Sequence, residues 1–249
     1  MNLIERTNIN DRLYVIPQDP VNKTAMLSID RHTKEDVRRK YGFYAENDWV
    51  CNTIANCYIE VIIRHLGLDV KDNGNADAMI NMYDLYVPRI TLKHNEDAEK
   101  EGNINIAFTN GPRVEELIKD TTPRDQQDLT RVDPSLVFSF EDKDRTEYYE
   151  KLDKVTRIEL SRKYNITIPD SKVKFIATAI ADRFIENLIR ELLYMIANSE
   201  NEVESINFND NIECHAIKEE DNTVRITLRP GMNAKLLVKS DETTENDEV

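Results

Sequence analysis

Residues 54–66, IANCYIEVIIRHL, return 126 positions later as residues 180–192, IADRFIENLIREL. Ile, Ala, Ile, Glu, Ile, Arg and Leu are identical in the two copies, and Asn56/Asp182, Tyr58/Phe184 and Ile62/Leu188 keep size and polarity. Unrelated segments share about one residue in a window of this length. A chain that contains its own homologue is built from a duplicated unit. Ile54, Tyr58, Ile59 and Ile62 in the first copy, and Ile180, Phe184, Ile185 and Leu188 in the second, recur at spacings of three and four. That is the apolar stripe of a helix with one buried face, so these residues are the expected core of each repeat.

The flanking sequence sets expected boundaries. Residues 1–30 read as an extended N-terminal arm: Asp11–Pro17 suits a short edge strand, and Pro17 and Pro20 argue against helix on either side. A first helix is expected from near Arg31, with Thr33 as its N-cap and Gly42 as its stop. The repeated helix follows from Glu46 or Asn47, and Gly67 ends it. Residues 70–80, with Asn73-Gly74, read as a loop. Strands are expected in Tyr83–Lys93 and Ile104–Thr109, and Pro112 opens a short helix. Residues 121–140, polar and with two prolines, form the linker.

The second copy then repeats the pattern. A helix over Glu141–Tyr164 ends in RKYN, mirroring the RKYG of residues 39–42, and a long helix spans Lys172–Ala197. Strands are expected at Ser205–Phe208, Ile212–Lys218 and Thr223–Leu228. Arg229-Pro230-Gly231 turns into a last short helix, and residues 241–249 form an acidic tail with no apolar anchor. The expected fold class is α+β, with tandem units at residues 31–120 and 141–240.

Charge and motifs narrow the function. The 249 residues carry a net charge of −14, whereas a protein that binds by neutralising phosphates needs a basic face. Arg89, Lys93, Lys218, Arg225 and Arg229 are the cations near the hairpins, and they are the candidate phosphate contacts if nucleic acid is bound at all. No apolar run approaches the roughly 20 residues a bilayer span needs, and the N-terminus lacks a signal-peptide segment. Cys51, Cys57 and Cys214 form no CxxC pair, and the four histidines show no ligand spacing. No phosphate-cradling glycine motif and no nucleophile–base–orienter arrangement occurs, so neither cofactor, metal nor catalysis is expected. Glu60/Arg64 and Glu186/Arg190 sit four residues apart at matching places in both copies. They read as surface ion pairs, with an inter-subunit contact as the alternative.

The segment Val224–Ser240, VRITLRPGMNAKLLVKS, resembles the closing strand, turn and helix of the bacterial histone-like proteins HU and integration host factor. Leu228, Arg229, Pro230, Gly231, Leu236, Leu237 and Val238 fall where that pattern has apolar, basic, Pro, Gly and apolar residues. In the first copy Phe108 and Gly111 fit, while Asn110 replaces the proline. Taken with the helices before each, the likeness covers most of the chain. It implies tandem HU/integration-host-factor-like units of helix, long helix, β hairpin and short helix. In that family subunits intertwine as dimers; here the two copies could pair within one chain or between chains.

DNA-bending members of the family extend basic β arms tipped by proline. The corresponding connections here, HNEDAEKEGN and EEDN, are acidic and lack proline. The chain resembles further the diverged integration host factor-like proteins of crAss-like tailed bacteriophages. That likeness implies a non-enzymatic virion protein, synthesised in the bacterial cytoplasm, which forms homo-oligomeric rings in the tail or portal-proximal connector beside other virion proteins. The alternatives are an HU-like DNA-binding architectural protein and an acidic DNA mimic that inhibits a host enzyme.

Overall fold

The computed structural model describes residues 4–9, 12–72, 77–82, 84–93, 103–120, 143–168 and 175–238. The expected linker and acidic tail lie outside them. Strands β1 (Ile4–Ile9) and β2 (Arg12–Pro17) form an antiparallel ribbon, followed by helices α1 (Pro20–Tyr41) and α2 (Val50–Asp72). Next come β3 (Asp77–Met79), β4 (Tyr86–Lys93), β5 (Asn103–Asn110) and the short helix α3 (Pro112–Lys119). The second half runs α4 (Lys143–Tyr164), α5 (Ile176–Ala197), β6 (Val203–Phe208), β7 (Ile212–Lys218), β8 (Val224–Pro230) and α6 (Met232–Leu237). The class is α+β, and each half carries one three-stranded antiparallel sheet, β3-β4-β5 or β6-β7-β8.

The N-terminal region departs from the expected arm over residues 1–30. Helix α1 begins at Pro20, not near Arg31, because Asp19 caps it: its side chain accepts the Asn22 N–H at 2.7 Å, and Pro20 occupies the first turn, where a missing N–H costs nothing. The proline taken as a breaker is a starter. Gly42 does close α1, in the left-handed conformation at φ 69°. Gly67, by contrast, does not stop α2. The helix continues through it to Asp72, burying Leu66 and Val70, with the glycine facing Val238 and Ile90.

Both long helices start in the same way. Asp30 of α1 accepts the N–H groups of Trp49 and Asn52, each at 2.8 Å, so α2 begins at Val50 instead of Glu46. In the second half Asp153 of α4 accepts the Thr178 N–H at 3.0 Å at the head of α5. The residues entering the helices, Trp49 at φ 71° and Phe175 at φ 59°, are both left-handed. A side chain from the first helix of each half thus satisfies the exposed donors of the second.

A second matched device joins each sheet to its short helix. Asn81 accepts the Asp84 N–H at 2.8 Å, and Asn207 accepts the Asp210 N–H at 2.8 Å, again 126 residues apart. Asp84 and Asp210 take positive φ, 60° and 58°. Their carbonyls then accept the N–H of Arg113 and of Asn233, at 2.9 and 2.8 Å, in the first turns of α3 and α6. A Cβ on Gly111 would stand 1.9 Å from the Asp84 carbonyl oxygen, and one on Gly231 would stand 2.1 Å from that of Asp210. Both glycines are required by close approach of two backbones; neither has a positive φ.

Ile54, Tyr58, Ile59, Ile62, Ile180, Phe184, Ile185 and Leu188 are all buried, and one hydrophobic cluster runs through both halves. The core per unit that the duplication suggests is therefore shared. Helices α2 and α5 pack on each other, α1 lies more on α5 than on α2, and α4 more on α2 than on α5. Each short helix likewise meets the other half: α3 touches α5 and β8, and α6 touches α2 and β5. The last strands of the two sheets come side by side, where the Asn110 amide donates to the Ile226 carbonyl at 2.7 Å.

Candidate functional site

Two surfaces bear on function: the polar seam between the halves and the outward faces of the sheets. At three places the two sides of the seam carry equivalent positions of the repeat, Asp182/Asn56, Glu186/Glu60 and Arg190/Arg64. On one side, Arg183 of α5 donates to Asp36 of α1 at 2.8 Å and to Glu186 at 2.6 Å. Asn187 donates to Thr33 and Asp36 at 3.1 and 2.9 Å. Arg113 from α3 reaches Asp182 at 3.2 Å and Glu186 at 2.6 Å, and Arg190 joins Glu186 to Asp120. The other side is mostly amides. Asn209 donates to Asn52, Asn211 to Asn56, and Asn233 to both Asn211 and Glu60. Arg64 closes it on Glu159 at 2.6 Å.

The matched pairs are thus not surface ion pairs. Glu186 and Arg190 form a bridge at 3.3 Å inside a seam of which Glu186 is a buried member. Arg64 instead turns to Glu159 of the other half and gives Glu60 only a backbone contact at 3.3 Å. Periodicity identified the pairing positions, but which face of each helix the other half would cover was not legible from spacing.

Burial and charge separate two acids of this seam, Asp182 and Glu186. Burial, with Glu186 adding repulsion, lifts the Asp182 carboxyl to about 6 despite Arg113. Burial would raise Glu186 too, but the guanidiniums of Arg183, Arg113 and Arg190 outweigh it and hold its pKa below the usual range. Asp30 is pushed up to about 6 by burial, against the two N–H groups it caps. All three cysteines are free and buried, which raises their thiols, Cys57 to about 12. None of them is a ready nucleophile.

Two of the five candidate cations are held in ion pairs. Arg89 on β4 is bound by Asp77, and Arg225 on β8 pairs with Glu219 at 2.6 Å. Lys93 closes β4 opposite Asn103, and Lys218 closes β7. Arg229 is exposed on β8; after burial, its charge is the next cause keeping the nearby His215 imidazole below its ordinary range. Pro230 and Gly231 form the junction of β8 with α6 described above. The second hairpin closes tightly: the Glu219 N–H meets the Thr223 carbonyl and the Asn222 N–H the Glu219 carbonyl, both at 2.9 Å. That turn carries Glu219, Glu220 and Asp221. The equivalent connection after Lys93 lies outside the described residues.

Among the described residues no cluster of His, Cys, Asp or Glu could hold a metal ion. No helix among the described residues is long and apolar enough to cross a membrane. A cleft of about 430 Å³ opens between α3 and β8, lined by Val114, Glu115, Ile118, Val224 and Arg225, and it brings together no catalytic grouping. Neither a known protein family, a curated protein nor a solved structure matches this chain.

Proposed function

We propose that this chain is a non-enzymatic assembly subunit: a tandem histone-like pseudodimer whose surfaces serve protein–protein contact. The observation that carries this is the closed second hairpin. Where a DNA-bending arm would extend basic residues, β7 and β8 end in a five-residue turn carrying three carboxylates. The element order of each half and the mutual covering of the long helices support the histone-like part of the reading. With Arg89 and Arg225 already paired and a net charge of −14, little positive field remains for a duplex.

The setting suggested by the resemblance is a ring in the tail or portal-proximal connector of a tailed phage, where an acidic wall lets passing DNA slip. Fold does not fix function, so the test is direct. Native mass measurement combined with a duplex gel-shift titration at low ionic strength should give a multi-copy species and no shift. A monomer that shifts duplex in a salt-dependent way would favour the HU-like alternative. A monomer that does neither would favour the acidic mimic.

A further inference from the structure

Among the described residues, six strands have a lateral edge that is not in a ladder, and most of those edges are closed. The free edge of β2 is occupied at Val15, whose N–H donates to the Thr53 hydroxyl at 3.1 Å and whose carbonyl accepts from the Asn52 amide at 2.7 Å. The edges of β5 and β8 lie against each other with Asn110 between them. Strand β3 is only three residues long. That leaves β1 and β6, each of six residues.

The backbone pattern tells which of their groups point outward. Because Val15 spends both backbone groups on α2, it forms a non-hydrogen-bonded pair with Arg6, its partner in β1. In an antiparallel ladder the groups of such a pair point away from each other, so Ile4, Arg6 and Asn8 direct their N–H and C=O groups away from β2. On β6 the Asn22 side chain binds both backbone groups of Asn207, at 2.7 and 3.0 Å, which marks Asn207 as outward-facing and, two and four residues before it, Ser205 and Val203. Asn22 closes only the Asn207 end. At the other end Val203 is 49% exposed, in a strand whose outward groups there have no closing side chain among the described hydrogen bonds.

We infer that β1 of one copy of this chain adds as a fourth strand to the β6 edge of the next copy. An open strand edge takes an extended backbone, and of the described strands longer than three residues these are the two whose outer edge no described strand occupies, β6 being open at its Val203–Ser205 end. They are different surfaces, so the contact is head to tail and repeats around a ring or along a filament. This rests on the assembly reading above, and it names the contact that would propagate it.

Proline at an outward position removes a donor from the free edge without touching the existing ladder. Arg6→Pro disables β1 and Ser205→Pro disables β6, and each full-length variant should self-associate about tenfold or more weakly than wild type by sedimentation velocity. Mixed in equal amounts they should form a heterodimer that grows no further, because each supplies the edge the other lacks. Unchanged thermal unfolding certifies the fold; Asn8→Pro and Val203→Pro repeat the test at equivalent positions. Assembly of either variant as in wild type, or a mixture that stays monomeric, overturns the strand contact and leaves the assembly reading standing. A wild-type chain that is monomeric at all concentrations overturns both.

Discussion

Asp182 and Asn56 occupy the same place in the two copies, and the difference between them is a pH dependence. The folded chain holds a proton on Asp182 up to about pH 6, whereas the ordinary value is 3.8, so the folded state binds that proton more tightly than the unfolded one. Stability from this group therefore rises as pH falls from about 6 toward 3.8 and is lost on the way up. Glu186 works in the opposite direction, since its lowered pKa withdraws stability as the solution becomes acidic enough to protonate it. Asp182→Asn, copying the residue at 56, should reduce the loss of stability as pH rises from 3.8 to about 6, part of which remains because burial raises Asp30 in the same way. Urea midpoints at several pH values measure this; an unaltered slope would show that Asp182 titrates normally.

At the level of elements, the junction between sheet and short helix leaves no room for a side chain at its glycine. Gly231→Ala would drive a methyl group into the Asp210 carbonyl, and Gly111→Ala would do the same at Asp84. Each should cost roughly 1–3 kcal/mol in denaturant unfolding, as forced overpacking does. The same substitution at Gly67, whose nearest neighbours stand at 3.8 Å or more inside a continuous helix, should be neutral or stabilising. Much of this level was legible in the sequence. The repeat located both long helices, and the strand expected at Ile212–Lys218 has the bounds of β7. Pro20 misled because the same residue stops a helix from within and starts one from its first turn, and only the Asp19 cap distinguishes the two. The matched Asn81/Asp84 and Asn207/Asp210 turns were also readable, had the 126-residue offset been carried past the helices.

On the scale of the whole molecule, the seam decides how the halves behave. Each long helix is covered by the first helix of the other half, and the charged members of the seam, Asp36, Arg113, Arg183 and Glu186, find their partners across it. Spacing cannot show such contacts, because Asp36 and Arg183 are 147 residues apart. A protease site introduced between α3 and α4 should accordingly yield two fragments that stay together as one species on sizing until denaturant is added. Fragments that separate at once would mean that the linker, and not the seam, holds the halves in place.

The crossing of α1 over α5 also has a consequence in time. While the chain is being synthesised, the first helix of the amino-terminal half meets only its lesser partner, α2, until α5 has left the ribosome, some 150 residues later. Native burial of the two central helices is therefore a late event that belongs to the finished polypeptide. A stalled or truncated product would expose the apolar flanks of α1 and α2 to whatever chaperone or aggregate reached them first.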